Sequence, residues 1–356
     1  MSTEDSFDHW TEQPAAPSIP ADPVIRVETI KDIVPLNDQF GVEMPKAVPE
    51  ALHEQLFGQP NPTDAEIAAE GNAPGVPSLG TFAILDAASV RNLPEVLSSS
   101  GLEHACLFQG DAIKELGDVA PWIVRLDEGS QFVRHLFTEG DAPWAMWDRA
   151  SGIYLRSRDG LEDLRAHLRK FIKVRDDANA WFYLRLYDPR VMRAFLRGAP
   201  RFGHRILARP APWSSLTVIT CFNNQAEIAH PVASVPADAR PIHLGPEEKA
   251  VFRQLTFEAR ADALMVKLDK GSSISMSTDP EVRSAQKNAL VAALHRMYGY
   301  GFQQPLQQER WGVWELFYGD RFERADPALA RICDTQDMPS GERFAAFQRR
   351  LEEIYS

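Results

Sequence analysis

The stretch LRLYDPRVMRAFL, residues 184–196, changes its pattern at its centre and decides how this part of the chain folds. Apolar and aromatic residues from Trp181 to Leu186 favour a strand. Asp188 is a favoured helix N-cap, because its carboxylate accepts hydrogen bonds from the free amides of the first turn. Pro189 suits the first helical position, where no intrahelical bond is lost. The stretch therefore predicts a strand-to-helix corner with a helix from Asp188 to Leu196.

The corner is rich in charge. Arg185 sits between two leucines of the strand, so its side chain is expected on the same side as Tyr183 and Tyr187. Asp188 is within chain reach of both Arg185 and Arg190 and can clasp either. Three interpretations are open: a clasp that fixes the corner, a partner-binding corner and a catalytic turn. Since nothing nearby supplies a nucleophile or a base at a defined spacing, we interpret the corner as structural or partner-binding.

The whole chain has the composition of a globular protein with more than one lobe. It has 356 residues, 44% of them hydrophobic and 25% charged. No run approaches 18 consecutive apolar residues, and the start MSTEDSFDHW lacks a signal-peptide pattern. The three cysteines are far apart and form no CxxC motif. We therefore expect a cytoplasmic protein without a disulfide framework, a zinc site or a membrane span.

The net charge of −12 is unevenly distributed along the chain. Residues 1–75 contain 14 Asp/Glu and 3 Lys/Arg, whereas residues 149–209 contain 15 Lys/Arg and 6 Asp/Glu. The basic stretch is either a solvated, salt-bridged surface or a binding face for an acidic partner. The acidic arm is expected to lie across its own domain, to reach a basic partner, or to serve only as a tether.

Three segments differ in composition and in hydrophobic pattern. Residues 1–77 hold 11 of the 26 prolines and predict an acidic arm that is largely extended or disordered, with one short helix at Pro49–Phe57. Residues 78–236 alternate apolar strand-like runs, including one at Trp144–Trp147, with short helices. Residues 237–356 show helical periodicity. The predicted fold class is α/β with two lobes: an α/β lobe with a mixed sheet and a helical C-terminal lobe.

Candidate metal and cofactor chemistry is weak in this sequence. Asp163 and His167 are four residues apart on a predicted helix, and Glu162 and Asp148 are nearby, but this spacing does not bring three ligands together. No nucleophile elbow, GxGxxG or GxxxxGK[ST] motif is present. We expect no metal, no cofactor and no catalytic residue.

The alternative function is a nucleic-acid-binding or hydrolytic module built on residues 149–209. Basic residues alternate there with aromatic ones such as Trp181, Phe182 and Tyr183, which is typical of surfaces that bind single strands. The overall acidity argues against it, although an acidic arm can mask a basic face. This alternative predicts salt-sensitive binding of DNA or RNA after deletion of residues 1–75.

Six fragments occur in the order in which they occur in one known family. They are FAILDAA (82–88), HACLFQG (104–110), VAPWIVRL (119–126), PWAMWDRA (143–150), LRSRDGLEDLRAHLRKFIKVRD (155–176) and FYLRLYDPRVMRAFL (182–196). The chain resembles the DUF4123 family, the adaptor chaperones of type VI secretion effectors. LRAHLRKF and LRLYDPRV are the most specific pieces. Trp147 to Arg149 departs from the small or aliphatic strand end that is usual there.

The resemblance implies a non-enzymatic protein without cofactors. Such proteins bind the N-terminal region of a cognate toxin in the producing cell and help to load it onto the VgrG spike, sometimes through a PAAR-like element. The family-motif residues with structural or partner-binding roles are Arg165, His167, Arg169, Arg185, Tyr187, Asp188, Pro189 and Arg190. The candidate partner-contact aromatics are Trp144, Trp147, Trp181 and Tyr183.

Overall fold

The computed structural model describes residues 24–37, 39–70, 75–208, 216–232, 241–271, 276–335 and 338–355. The chain divides into two compact units, Met1–Glu248 and Lys249–Ser356. The first unit contains all of the described strands, and the second is helical. The predicted α/β class with two lobes is confirmed. The predicted boundary between the two lobes, at residues 236 and 237, lies outside the described residues.

The elements of the first unit alternate between short strands and short helices. Its strands are β1 (Ile25–Ile30), β2 (Gly80–Asp86), β3 (His104–Cys106), β4 (Pro121–Arg125), β5 (Gly152–Ser157), β6 (Lys173–Asp176), β7 (Trp181–Tyr183), β8 (Thr217–Phe222), β9 (Gln225–Pro231) and β10 (His243–Leu244). Its helices are α1 (Glu50–Phe57), α2 (Asp64–Glu70), α3 (Leu93–Ser100), α4 (Asp111–Leu116), α5 (Gln131–Leu136), α6 (Leu161–Ile172), α7 (Pro189–Gly198) and α8 (Pro200–Leu207).

Seven strands form the main sheet, in the order β1-β9-β8-β5-β2-β4-β3, and every neighbouring pair in it is antiparallel. The predicted mixed pairing occurs in a small second sheet, β10-β6-β7. There β6 is parallel to β10 and antiparallel to β7. In β2, residues 81–86 are all buried, because both faces of the main sheet are covered.

One face of the main sheet packs against α1, α3 and α5 in a continuous apolar core that includes Leu52, Leu97 and Phe132. On the other side, α6 packs against β4, α7 against β8, and α8 against β1 and β9. The helix α6 follows from its sequence: Leu161, Leu164, Leu168 and Phe171 recur at helical spacing and are all buried. The corner at residues 184–190 connects β7 to α7. Because α7 packs against β8, the helices on this side of the sheet fix the position of the corner.

The acidic arm contributes to the fold of the first unit. The strand β1 pairs with β9 from Ile25 to Ile30, and the predicted helix at Pro49–Phe57 is present as α1. Arg158 forms an ion pair at 2.6 Å with Glu66 of α2, and the Arg158 side chain is only 5% exposed. The described part of the arm is thus folded onto its own domain. Residues 1–23, 38 and 71–74 of the predicted extended or disordered arm lie outside the described residues.

The strand expected at Trp144–Trp147 is wrong. These residues form a turn whose backbone amides bind carbonyls near the end of α5: the Met146 amide donates to His135 and the Trp147 amide to Thr138. The sheet partner of β2 is instead β5, which ends at Ser157. Gly140 and Pro143 favour such a turn over a strand. The run Trp144–Trp147 lacks the alternation of apolar and polar residues that marks a half-buried strand, so its apolar character alone did not indicate a strand.

The α-helices described in the C-terminal part of the chain are α9 (Pro246–Gly271), α10 (Pro280–Gly299), α11 (Pro305–Tyr318), α12 (Pro327–Asp334) and α13 (Ser340–Tyr355). Their core is aromatic and centres on the fully buried Trp311, which stacks against Phe347 at a ring distance of 5.0 Å. The predicted helical lobe is confirmed. Nowhere in the described part of the chain does a helix have the length and apolar composition that a bilayer span requires.

Candidate partner-binding site

The corner at residues 184–190 begins with a short strand and a tight turn. The strand β7 ends at Tyr183, three residues earlier than predicted, and the Leu184 amide donates to the Ile172 carbonyl at 2.8 Å. The Asp188 amide then donates to the Arg185 carbonyl at 2.9 Å and closes the turn. Leu184 and Leu186 are buried below the turn. The apolar residues therefore anchor the corner, while Arg185 and Arg190 are exposed.

Asp188 starts the following helix, as predicted. Its Oδ1 accepts the Arg190 amide at 2.9 Å, and Pro189 occupies the first helical position and is buried. The same carboxylate accepts two bonds from the Arg190 guanidinium, from Nε at 3.0 Å and from NH2 at 2.7 Å. This bidentate clasp raises the pKa of Arg190. Of the two arginines that Asp188 could reach, it therefore binds Arg190.

We expect Asp188→Ala to lower the free energy of unfolding by about 1 kcal/mol, the usual effect of losing an N-cap carboxylate. Arg190→Met removes the clasp but leaves the cap. It should cost about 0.5 kcal/mol or less, because the Arg190 side chain is 59% exposed. Chemical denaturation of both variants measures the difference. Equal losses for the two variants would show that the clasp, and not the cap, stabilises the corner.

Arg185 binds a different acid, one that sequence reasoning missed. Its NH2 donates to Asp86 Oδ2 at 2.5 Å, 99 residues away at the end of β2. The Asp86 side chain is 4% exposed and also accepts the Ala88 amide at 3.0 Å and the Ser89 hydroxyl at 3.1 Å. The bond joins the corner to β2, whose residues 81–86 are all buried. The only sequence signal was an acid directly after an apolar strand, within FAILDAA.

Tyr187 completes the corner. It is 7% exposed, and the Arg185 guanidinium carbon lies 5.8 Å from the centre of its ring. Burial raises the pKa of its phenol, and the Asp86 carboxylate adds to this effect. Tyr187 therefore faces the interior, although strand alternation predicted it on the same side as the exposed Tyr183.

The α6 residues of the motif also make contacts within the first unit. Arg165 Nε donates to the Cys106 carbonyl at 2.9 Å, and its NH1 lies 3.1 Å from Glu162 Oε2. His167 is buried, with Nε2 at 2.8 Å from the Ile206 carbonyl of α8. Arg169 is half-buried, and desolvation lowers the pKa of its guanidinium. Arg165 thus ties α6 to β3, and His167 ties it to α8.

The small sheet carries the exposed aromatics. On one of its faces Lys173 pairs across the strands with Tyr183, and Arg175 with Trp181 on one side and His243 on the other. Trp181 is 50% and Tyr183 62% exposed. Nζ of Lys173 lies 4.7 Å from the Trp181 ring centre, and the Arg175 guanidinium carbon lies 4.1 Å from it. We call these five residues the cationic–aromatic face.

An open cleft of about 660 Å³ adjoins this face. Its further cations come from Lys170 of α6 and Arg205 of α8, and Phe171 supplies apolar surface. His243 Nε2 lies 2.5 Å from Asp177 Oδ1, so one carboxylate stands at the edge. Among the described residues, no carboxylate forms an ion pair with Lys170, Lys173 or Arg175. The face and cleft therefore combine positive charge with exposed aromatic rings.

The two other candidate contact aromatics differ from each other. Trp144 is 39% exposed and lies against His135 at a ring distance of 4.9 Å. Trp147 is half-buried, and its indole Nε1 donates to Asn224 Oδ1 at 3.0 Å. Trp147 therefore contributes to the packing of its own domain. Trp144, Trp181 and Tyr183 leave more surface available to a partner.

Metal-binding and thiol chemistry find little support in the described residues. No group of three His, Cys, Asp or Glu side chains among them is placed to hold a metal ion. Cys106, Cys221 and Cys333 are free thiols. Burial raises the pKa of Cys221 and Cys333 to about 12, so both thiols are protonated at neutral pH.

Fold and site together define a two-unit α/β protein, in which a charged corner joins two layers and a cationic–aromatic face lies open. Residues 81–201 match the model of the family described as "Domain of unknown function (DUF4123)", about one third of the chain. The matched segment is similar to this family; it runs from β2 into α8 and includes the corner and β6–β7. This family is commonly linked to adaptors of type VI secretion effectors. Comparison with curated proteins and with solved structures gave no significant match.

Proposed function

We propose that this protein is a non-enzymatic chaperone and adaptor for a type VI secretion toxin. It binds the N-terminal region of the cognate effector in the cytoplasm of the producing cell and keeps it soluble. It then helps to load the effector onto the VgrG spike, directly or through a PAAR-like element. The observation that carries this proposal is the match to the DUF4123 family at residues 81–201.

The contacts of the motif residues support a binding role. Asp188 caps a helix and binds Arg190, while Arg185 binds the buried Asp86. These charged groups hold two layers of the domain together and need no substrate to account for them. Trp181 and Tyr183 of the preceding strand, in contrast, are exposed. Exposed aromatics next to cations are typical of the residues that dominate protein interfaces.

We place the effector-binding surface on the cationic–aromatic face. Trp181 and Tyr183 offer large apolar rings with few rotatable bonds, so a partner orders them at a small entropic cost. Lys173 and Arg175 add charge that steers an acidic segment of the effector towards the face. Trp144 is a second, separate contact candidate in the same unit.

The experiment that tests this function is co-expression of the chain with a toxin taken from the genes that neighbour its own. We expect the toxin to be soluble and to co-purify with the chain, and to aggregate or be degraded without it. An equally soluble toxin in the absence of the chain would contradict the proposal. A toxin variant that lacks its N-terminal region is the matched control and should not co-purify.

The cationic–aromatic face also favours a second candidate, binding of single-stranded nucleic acid. Against it, many basic residues of segment 149–209 are paired within the fold, for example Arg158 with Glu66 and Arg197 with Glu227. Deletion of residues 1–75 would remove β1 and α1, so neutralisation of the five carboxylates in residues 1–23 is the better test. A salt-sensitive gel shift by that variant would favour nucleic acid, and no shift at low salt would dispose of it.

A further inference from the structure

The cationic–aromatic face has a positive charge that the described residues leave without a matching carboxylate. Lys170, Lys173 and Arg175 form no ion pairs in the described part of the chain, and all three line the same cleft. Asp177 is engaged with His243 at the edge of the face. The chain as a whole is acidic, with a net charge of −12. The complementary ligand is therefore an acidic segment with apolar residues that fit the aromatic rings.

The sequence provides one such segment in the same chain. Residues 1–23 contain five carboxylates, Glu4, Asp5, Asp8, Glu12 and Asp22, and no Lys or Arg. Phe7 and Trp10 lie among these acids and can contact Trp181, Tyr183 or the cations beside them. Negative charge and aromatic rings thus alternate in the segment, as positive charge and aromatic rings do on the face.

The attachment point of this segment lies close to the cleft. The strand β1 begins at Ile25, which packs against Gly203 of α8. Arg205, two residues further along α8, lines the cleft. Twenty-three residues can span up to about 75 Å when extended, and the rise between Gly203 and Arg205 is only about 3 Å. The segment therefore has ample length to reach the face.

The described part of the arm already shows this kind of interaction once. Glu66 of α2 binds Arg158 at 2.6 Å, and both side chains are largely buried in this contact. Carboxylates of the arm thus pair with basic residues of the segment 149–209 within one chain. Covalent attachment favours a second such contact, because binding within one chain carries no translational cost.

We propose that residues 1–23 bind the cationic–aromatic face of their own chain and cover it. A partner that uses this face, whatever its identity, must displace the segment. The proposal therefore holds independently of effector loading. If the effector does bind there, the segment competes with it and lowers its apparent affinity.

Zero-length carboxyl–amine crosslinking of the full-length protein, followed by peptide mass spectrometry, tests this proposal. We expect crosslinks from Glu4, Asp5, Asp8 or Glu12 to Lys170 or Lys173. They should be lost in 1 M NaCl, where the Debye length is about 3 Å. Crosslinks between the exposed pair Lys114 and Asp111 are the internal positive control, because these groups lie 3.2 Å apart. An absence of crosslinks to Lys170 and Lys173, or equal crosslinking to lysines over the whole surface, would overturn the proposal.

Two further arms make the result specific. Arg175→Gln leaves both crosslinking groups intact and should reduce the yield at Lys173 several-fold, whereas the exposed Arg331→Gln in the helical unit should not. A mixture of light and isotope-labelled protein distinguishes the source of the segment. We expect crosslinked peptides of unmixed isotope composition. Mixed pairs would instead assign the face to the segment of a second copy and would overturn binding within one chain.

Discussion

Replacement of Arg185 by alanine is expected to lower the free energy of unfolding by about 3 kcal/mol. The reason is that Asp86, the carboxylate that Arg185 binds, stays buried and charged. Asp86 is 4% exposed, and among the described residues its charge keeps the bonds from the Ala88 amide and the Ser89 hydroxyl when Arg185 is removed. A buried carboxylate with an incomplete set of partners is costly, whereas Arg185 itself is 54% exposed. Chemical denaturation followed by tryptophan fluorescence measures the loss.

A double variant separates the charge effect from the loss of packing. Asp86→Asn in the Arg185→Ala background removes the buried charge and should restore part of the lost stability, because the amide oxygen can still accept the Ala88 amide. Arg190→Ala is the matched control, since its carboxylate partner Asp188 keeps the helix cap. If Arg185→Ala costs no more than Arg190→Ala, the bond to Asp86 does not hold the corner to the sheet.

The paired substitution Trp181→Ala and Tyr183→Ala is expected to weaken effector binding by at least about 2 kcal/mol, which is about thirtyfold in Kd. Both rings are at least half exposed, so their removal should leave the fold intact. They also supply the aromatic part of the face, and truncation of such anchors usually dominates alanine scans of interfaces. Affinity for the purified N-terminal region of the effector, together with a thermal unfolding curve, gives both quantities.

The matched control for that pair is Leu116→Ala with Val119→Ala. These residues are 46% and 49% exposed in the same unit, but they lie outside the cationic–aromatic face. We expect their affinity to stay close to that of the unaltered protein. If the two pairs weaken binding equally, or if neither does, the effector uses another surface, and Trp144 becomes the next residue to replace.

Local sequence signals predicted the parts of the fold that local forces determine. Asp188 and Pro189 start a helix because a cap and a preset φ act within one turn, and the structure confirms this. The helical periodicity of residues 237–356 likewise predicted the helical lobe, to which α10 belongs. These features depend on neighbours a few residues apart, so one sequence is enough to infer them.

Contacts between distant segments were beyond such reasoning. The acid that binds Arg185 is 99 residues away, and no local pattern distinguishes Asp86 from the nearer Asp188. The antiparallel order of the main sheet depends on which strands pair, which alternation within a strand does not encode. The local sequence predicts a strand at Trp144–Trp147. The structure has a turn there, because the backbone amides bind carbonyls near the end of α5, and the local sequence does not reveal those partners. The exposure of Trp181 and Tyr183 could likewise be determined only from the structure.

In the proposed role, this protein binds its effector and leaves it chemically unchanged. A calorimetric titration of the purified full-length chain with the N-terminal region of that effector tests this role, when it is combined with the intact mass of both proteins afterwards. We predict saturable binding and unchanged masses. No heat of binding at about 100 μM protein with no complex on a sizing column, or a covalent change in the toxin fragment, would contradict the claim.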